Sequence, residues 1–281
     1  MVLSRIHLFP IKSLDGISVV EARINSAGIL EHDRVYAIVD ANGSYVNGKR
    51  TGRVHLIRTT FAEDYQEASF WIQGETEKQN FVLNEPVRIN RWLSDFFGFN
   101  VQLICEPVSG FADDRAASGP TIGSLQEVVR WFPEFTFESA RRRFRSNLEL
   151  GGVEPFWEDH LFGTPKELKP FLVGEVSFLG HNPCQRCVVP SRDPESGIQS
   201  VPNFQKIFTA LRKECLPSWA NNDQFNHFYR FAVNTSIPSS EAGKTLRVGD
   251  TVRLRPGVYS PTAAVDPSIR FEYDVLNPLD S

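Results

Sequence analysis

The sequence has 281 residues, 41% hydrophobic and 12% aromatic, with 30 Lys and Arg against 34 Asp and Glu for a formal charge of −4. Length suits one large or two small domains at about 150 residues each, and the composition excludes a disordered chain. The acidic balance speaks against nucleic acid as main partner, and no apolar run approaches the roughly 18 residues of a membrane span.

In chain order, Met1 to Pro10 carries only Arg5 as a charge. It lacks the apolar stretch and small-residue cleavage site of a leader peptide, so the expected location is cytoplasmic. Tyr36–Ala41 and Ser44–Val46 flank Asn42-Gly43 and predict a hairpin, with a type I′ turn because Asn-Gly accepts positive φ. The acidic stretch Glu63–Glu77 predicts a solvated hairpin region. Trp92, Leu93, Phe96 and Phe97 form a short helical stripe closed by Gly98. Pro107, Gly110, Gly119 and Pro120 break the pattern and suggest a boundary across Glu106–Pro120. Beyond it, Leu125, Val128, Val129 and Phe132 have helical spacing, with Ser124 and Glu127 placed as a capping box and Pro133 as the stop. Val173–Phe178 and Val248–Leu254 echo each other, each a Gly-acid turn followed by alternating residues, as strands of a barrel or sandwich do. Phe204, Ile207, Phe208 and Leu211 predict one more helix, and the tail after Pro256 predicts an irregular extension. The fold class is mainly β (α+β), with a few packing helices. The aromatic stripes are read as core.

The sharpest chemical signal is Cys184-Gln185-Arg186-Cys187. The other cysteines, Cys105 and Cys215, are too scattered for a disulfide scaffold or an iron–sulfur site. A structural zinc site needs four ligands and a second paired group is missing. A thioredoxin-like pair belongs at a helix N-terminus, whereas flanking prolines and Val188-Val189 suggest a loop entering a strand. Two buried cysteines, or one thiolate ligand to a transition metal carried by a cofactor, also suit the pair. The last reading requires anion-binding residues, since such cofactors commonly carry phosphate. Lys12-Ser13 after a strand end, Arg34 before the hairpin, and Arg143-Phe144-Arg145 are available; taken singly, each reads as a surface charge or a partner of a nearby acid.

Pro10-Ile11-Lys12-Ser13, Asp33-Arg34-Val35-Tyr36, Phe144-Arg145-Ser146-Asn147, Pro183-Cys184-Gln185-Arg186-Cys187 with Asp193-Pro194-Glu195-Ser196-Gly197, and Leu246-Arg247-Val248-Gly249-Asp250 occur in that order. Together they resemble the MOSC family, shared by molybdenum cofactor sulfurase C-terminal regions and amidoxime-reducing molybdenum enzymes, over residues 3 to 256. The resemblance implies a β-barrel N-terminal domain over residues 1–110, a MOSC β-barrel domain over 111–257 and an extension over 258–281. It implies molybdenum cofactor as the bound group and Cys187 as metal ligand and catalytic centre, with Arg186 beside it. Lys12, Ser13 and Arg34 would hold the pterin and its phosphate; Arg145, Asn147 and Tyr229 would lie on the same cofactor. A cysteine next to Arg186 is expected to favour its thiolate. The implied activity is reduction of N-hydroxylated small molecules such as amidoximes and hydroxylamino bases. Electrons would come from a separate partner, a ferredoxin or flavoprotein reductase, because the chain has no Gly-x-Gly-x-x-Gly fingerprint. The alternative is a module that carries the cofactor or a persulfide sulfur without turnover.

Overall fold

The computed structural model describes residues 1–112, 118–119 and 121–257. The expected extension at 258–281 and part of the expected boundary lie outside these residues. The described chain is mainly β, with fifteen strands and four α-helices. The strands of the first half are β1 (Val2–Leu8), β2 (Ile17–Val19), β3 (Glu21–Arg23), β4 (Tyr36–Asp40), β5 (Ile57–Phe61), β6 (Glu67–Ile72), β7 (Gln79–Val82) and β8 (Val101–Cys105), with α1 (Pro86–Phe97) before β8. Then follow β9 (Ser118–Gly119), α2 (Ile122–Trp131), α3 (Phe137–Phe144), β10 (Leu148–Gly151), β11 (Lys169–Val173), β12 (Val176–Gln185), α4 (Phe204–Glu214), β13 (Arg230–Ser236), β14 (Thr245–Arg247) and β15 (Val252–Leu254).

Alternation along these strands puts one face into the core, and three cores result. The first joins distant parts of the chain: Leu3, Ile6 and Leu8 of β1 pack with Leu148 and Leu150 of β10 and with Phe171 and Phe178 of the β15-β11-β12-β13-β9 sheet. The backbone agrees, because β1 pairs antiparallel with β10, Val2 opposite Gly151 and Ile6 opposite Leu148. The second lies under the β4-β8 and β5-β6-β7 sheets and is closed by Ile89, Leu93 and Phe97 of α1. The third is aromatic: Phe132, Phe144, Phe204, Phe208 and Phe231 hold α2, α3 and α4 against β13.

Several local expectations need correction. The Asp40–Ser44 hairpin is not type I′: Gly43 N–H donates to Asp40 C=O at 2.9 Å and only Gly43, at φ +76°, is left-handed, giving a tight turn followed by a glycine bulge. The Asp40 carboxylate explains the change, accepting from the Asn42 and Ser44 amides and so fixing a turn that begins one residue early. The N-cap of α2 is Thr121, not Ser124; Thr121 Oγ1 accepts from the Ser124 amide. Ser124 lies inside the helix, its hydroxyl bonded to the Glu158 carboxylate and accepting from Phe156 N–H. Ile207 of α4 is exposed, and Arg212 is the buried polar member of that helix, ion-paired with Asp159. The echoing Gly-acid segments do share a sheet, Val173 opposite both Val176 and Val252.

Candidate functional site

A cleft of about 240 Å³ is lined by Lys12, Ser13, Arg34, Arg145, Cys184, Arg186 and Cys187. Lys12 and Ser13 follow β1, Arg34 precedes β4, Arg145 ends α3, and the cysteines lie at the end of β12 and just beyond it. The chain thus leaves a strand at Gln185, with Cys187 in the connection that follows, the reverse of the loop-into-strand order expected from Val188-Val189. Those valines begin a short helical turn instead.

Three lining residues sit in the left-handed region without being glycine: Ser13 at φ +72°, Arg34 at φ +52° and Arg145 at φ +52°. Such residues cost of order 1–3 kcal/mol each and persist where surrounding structure over-determines them. At Arg145 the cause is visible, since it is the C-cap of α3 and its amide donates to Arg141 C=O. At Arg34 the amide donates to Phe9 C=O at 2.7 Å, which ties it to the end of β1.

The cations differ in how they are held. Lys12 is buried, its Nζ donating to Phe111 C=O at 2.7 Å and standing 4.7 Å from the Tyr45 ring centre. Arg34 pairs with Asp33 and donates to Asn147 Oδ1 at 2.9 Å. Asn147 does not line the cleft; it is buried behind Arg34, donating to Asp33 and to His7 C=O. Arg145 lies over the Phe9 ring at 4.1 Å, and its Nη2 is buried without a hydrogen-bond partner. Burial, reinforced by Arg34, lowers its pKa to about 10, still charged at neutral pH. Tyr229 also stands behind the site, its hydroxyl donating to Cys187 C=O at 3.0 Å and so bracing the cysteine turn. Burial pushes the phenol pKa up, so it stays a donor.

Arg186 serves a different cysteine than its sequence position suggests. Its Nη1 is 3.2 Å from Cys184 Sγ, and its Nη2 donates to Phe144 C=O. No disulfide joins the cysteines, and among the described residues no three His, Cys, Asp or Glu side chains gather as a metal cage.

Sequence reasoning missed Asn47, Gly48, Lys49 and His55, which form one wall of the cleft. Asn47 accepts from the amides of Lys49 and Arg50, shaping this irregular segment. Gly48 leaves little room: a Cβ there would lie 3.0 Å from Val189 Cγ2 and 3.3 Å from His55 Nε2. Burial first, then Arg145, Arg192 and Arg142, lower the His55 pKa to about 4, so it is neutral; its Nε2 is buried and unpartnered. Arg143, which also borders the cleft, is structural: it donates to the carbonyls of Pro190 and Arg192 at 3.1 and 2.6 Å and pins the segment after the cysteines. Arg142 pairs with Glu195. The donor set thus combines cations, a hydroxyl and a soft thiol, with buried nitrogens left unbonded at Arg145, Arg186 and His55. It suits an anionic ligand that carries a thiophilic metal.

Residues 1–85 match the MOSC N-terminal beta barrel domain and residues 109–253 match the MOSC domain. The chain belongs to the MOSC family. Molybdenum cofactor sulfurase of Arabidopsis thaliana is 24% identical over 254 residues, covering 72% of this chain and 30% of that protein. Mitochondrial amidoxime-reducing component 1 of Homo sapiens is 20% identical over 304 residues, covering 90% of this chain and 82% of that protein. This MOSC chain therefore spans about three tenths of the length of the plant sulfurase it matches. A solved structure described as a hypothetical protein aligns at TM-score 0.30 and 15% identity over 50% of this chain and 51% of that one, too weak to carry an argument.

Proposed function

We propose that this MOSC protein binds molybdenum cofactor in the cysteine cleft and reduces N-hydroxylated small molecules with electrons from a separate redox protein. The observation that carries the reading is convergence: Lys12, Ser13, Arg34 and Arg145 reach the same cleft as Cys187, from segments far apart in sequence. Their fit is chemical as well as spatial, because unbonded buried donors at Arg145 and Arg186 await an acceptor. Lys12, Ser13 and Arg34 would hold the phosphate through charge-assisted hydrogen bonds, and Cys187 would supply a soft thiolate to the metal. When bound, the cofactor supplies the two-electron redox chemistry. Asp33 and Asn147 keep the Arg34 fork aimed, while Tyr229 fixes the Cys187 backbone. The neutral His55 offers a ligand group one hydrogen-bonding nitrogen without adding charge.

The experiment is metal analysis of protein from a cofactor-competent host, followed by assay with benzamidoxime. About one molybdenum per chain, and turnover only when a chemical or protein electron donor replaces NADH and NADPH, is the expected result. A second reading is favoured by Arg186 against Cys184. A cation there stabilises a thiolate, and a thiolate could hold a persulfide sulfur for delivery. A loaded protein that never turns over N-hydroxylated compounds, with labile sulfur on Cys184, would support that carrier role and reject reduction.

A further inference from the structure

A second cleft of about 240 Å³ shares Ser13, His55 and Arg145 with the first. Five arginines line it: Arg5, Arg58, Arg141, Arg142 and Arg145. The carboxylates that balance them are fewer. Arg5 and Arg141 share Glu149, at 2.9 and 2.7 Å, with Glu138 a weaker partner of Arg141 at 3.5 Å. Arg58 pairs with Asp15 at 3.1 Å, and Arg142 with Glu195 at 3.1 Å. Five guanidinium groups thus face four carboxylates, and Arg145 is left without an ion pair among the described residues. Its buried Nη2 has no hydrogen bond, and neither has the buried Nε2 of His55. A buried donor left unmade in this way marks where a missing acceptor belongs. Two histidines report the field. His7, 2.8 Å from Arg5 Nη2, has its pKa lowered to about 3 by burial and then by Arg5, Arg145, Arg141 and Arg34, and His55 is held neutral by burial and arginines in the same way. Thr59 and Thr60 add hydroxyl-bearing side chains to the wall, and Trp71 an aromatic face.

We propose that this second cleft is an oxyanion site that takes a phosphate group, free or as the monoester of a small molecule, with Arg145, Arg142 and Arg58 as its cationic contacts. The surplus charge and the unbonded nitrogens select an anion over a neutral ligand. Fork-shaped guanidinium groups favour a tetrahedral oxyanion that accepts several hydrogen bonds at once. Ser13, His55 and Arg145 are shared with the cysteine cleft, so binding here requires that Arg145 Nη2 face this side, whereas Arg58 and Arg142 line only the second cleft and separate the two readings.

The test follows the Trp71 indole N–H in proton–nitrogen NMR spectra of the full chain, assigned by its loss in Trp71→Phe; Trp71 also lines only this cleft. Inorganic phosphate is expected to shift that resonance saturably. Arg58→Gln and Arg142→Gln should each weaken the effect about tenfold, the scale of one charge-assisted hydrogen bond, while Lys12→Ala leaves it in place. Glycerol 3-phosphate binding more tightly than inorganic phosphate assigns the monoester, and the reverse order assigns the free ion. A Trp71 resonance that phosphate does not move overturns the proposal. So does a shift lost in Lys12→Ala but indifferent to Arg58 and Arg142, which places the anion in the cysteine cleft alone. Molybdenum content and benzamidoxime turnover are read separately, so failure of either reading is recognised by itself.

Discussion

Nη1 of Arg186 is 3.2 Å from Sγ of Cys184, two residues back along the chain, rather than on the adjacent Cys187. The pair of cysteines is therefore chemically unequal: one has a guanidinium on its sulfur, and the other has its carbonyl held by Tyr229 at 3.0 Å. That inequality yields the first prediction. Cys187→Ser should fold and lose molybdenum retention, because a hydroxyl is a harder and less basic donor than a thiolate. Cys184→Ser should retain metal, because the Cys184 sulfur is engaged by Arg186. Metal analysis checks both, and equal loss of metal in the two variants would defeat the assignment.

Lys12 and Arg34 separate under substitution. Each should weaken cofactor retention when changed to Ala, by about 1.5–3 kcal/mol for one charged hydrogen bond. Their effects on the empty protein should differ, because Lys12 Nζ donates to a backbone carbonyl whereas Arg34 neutralises a buried carboxylate. Arg34→Ala leaves Asp33 buried without its cation, and a stability loss of about 1–3 kcal/mol follows in denaturant unfolding. Arg34→Lys should recover part of that stability and little of the ligand binding, since it keeps charge but not the fork.

Glu158 gives the protein a pH dependence. Burial, then repulsion from Asp159, raises its pKa to about 7, well above the usual carboxylate value. The folded chain keeps a proton there that the unfolded chain releases at lower pH, so this group's contribution falls as pH rises from about 4.5 to 7. Glu158→Gln should flatten that slope and raise stability at pH 8 relative to the parent, because Gln keeps an acceptor for Ser124 without a buried charge. Thermal unfolding across this range decides, and an unchanged slope would reject the assignment.

Gly180 tests close packing. A Cβ at this position would lie 1.6 Å from the Leu161 carbonyl oxygen, where backbone rather than a movable side chain meets it. Gly180→Ala should therefore cost about 3 kcal/mol or more, at the upper end for overpacking. Gly43→Ala meets no atom within 4 Å and loses only the left-handed preference of its φ of +76°. The smaller expected loss, about 1 kcal/mol, makes it the control in the same unfolding assay.

What the sequence disclosed follows from which interactions are local. The strand at Tyr36 and the stripes of α1, α2 and α4 are periodic, and they stand where expected, whereas the expected partner strand at 44–46 is reduced to a single bridge, Tyr45 opposite Val39. α3 was missed because Phe137–Phe144 reads as charged, with three arginines in its last turn; Ala140, Arg143 and Phe144 are buried only because α2 and the turn after β12 close over them. The α2 cap slipped from Ser124 to Thr121 because Ser124 is claimed by Glu158, thirty-four residues away. The same distinction divides the site. Lys12, Arg34 and Cys187 could be named from ordered motifs, whereas His55 and Gly48 have no spacing that marks them, and enter only through the fold around Val189. Tyr229 and Asn147 stand one step behind the cleft rather than in it, a depth that linear order does not encode.

The antiparallel pairing of β1 with β10 has a kinetic meaning. One edge of β1 meets β2 nearby in sequence, Ile6 opposite Val19, but the other must find β10, with Val2 opposite Gly151, and closing so long a loop precedes any gain from that contact. During synthesis from the N-terminus, β1 waits with an open edge until β10 has emerged, an interval in which it is available to another chain. Lys12 and Ser13 are set beside β4, the Lys12 amide donating to Tyr36 C=O, whereas Arg145, three residues before β10, joins them only when that wait ends. A ligand that bridges them to Arg145 would therefore recognise the finished molecule and ignore its earlier forms.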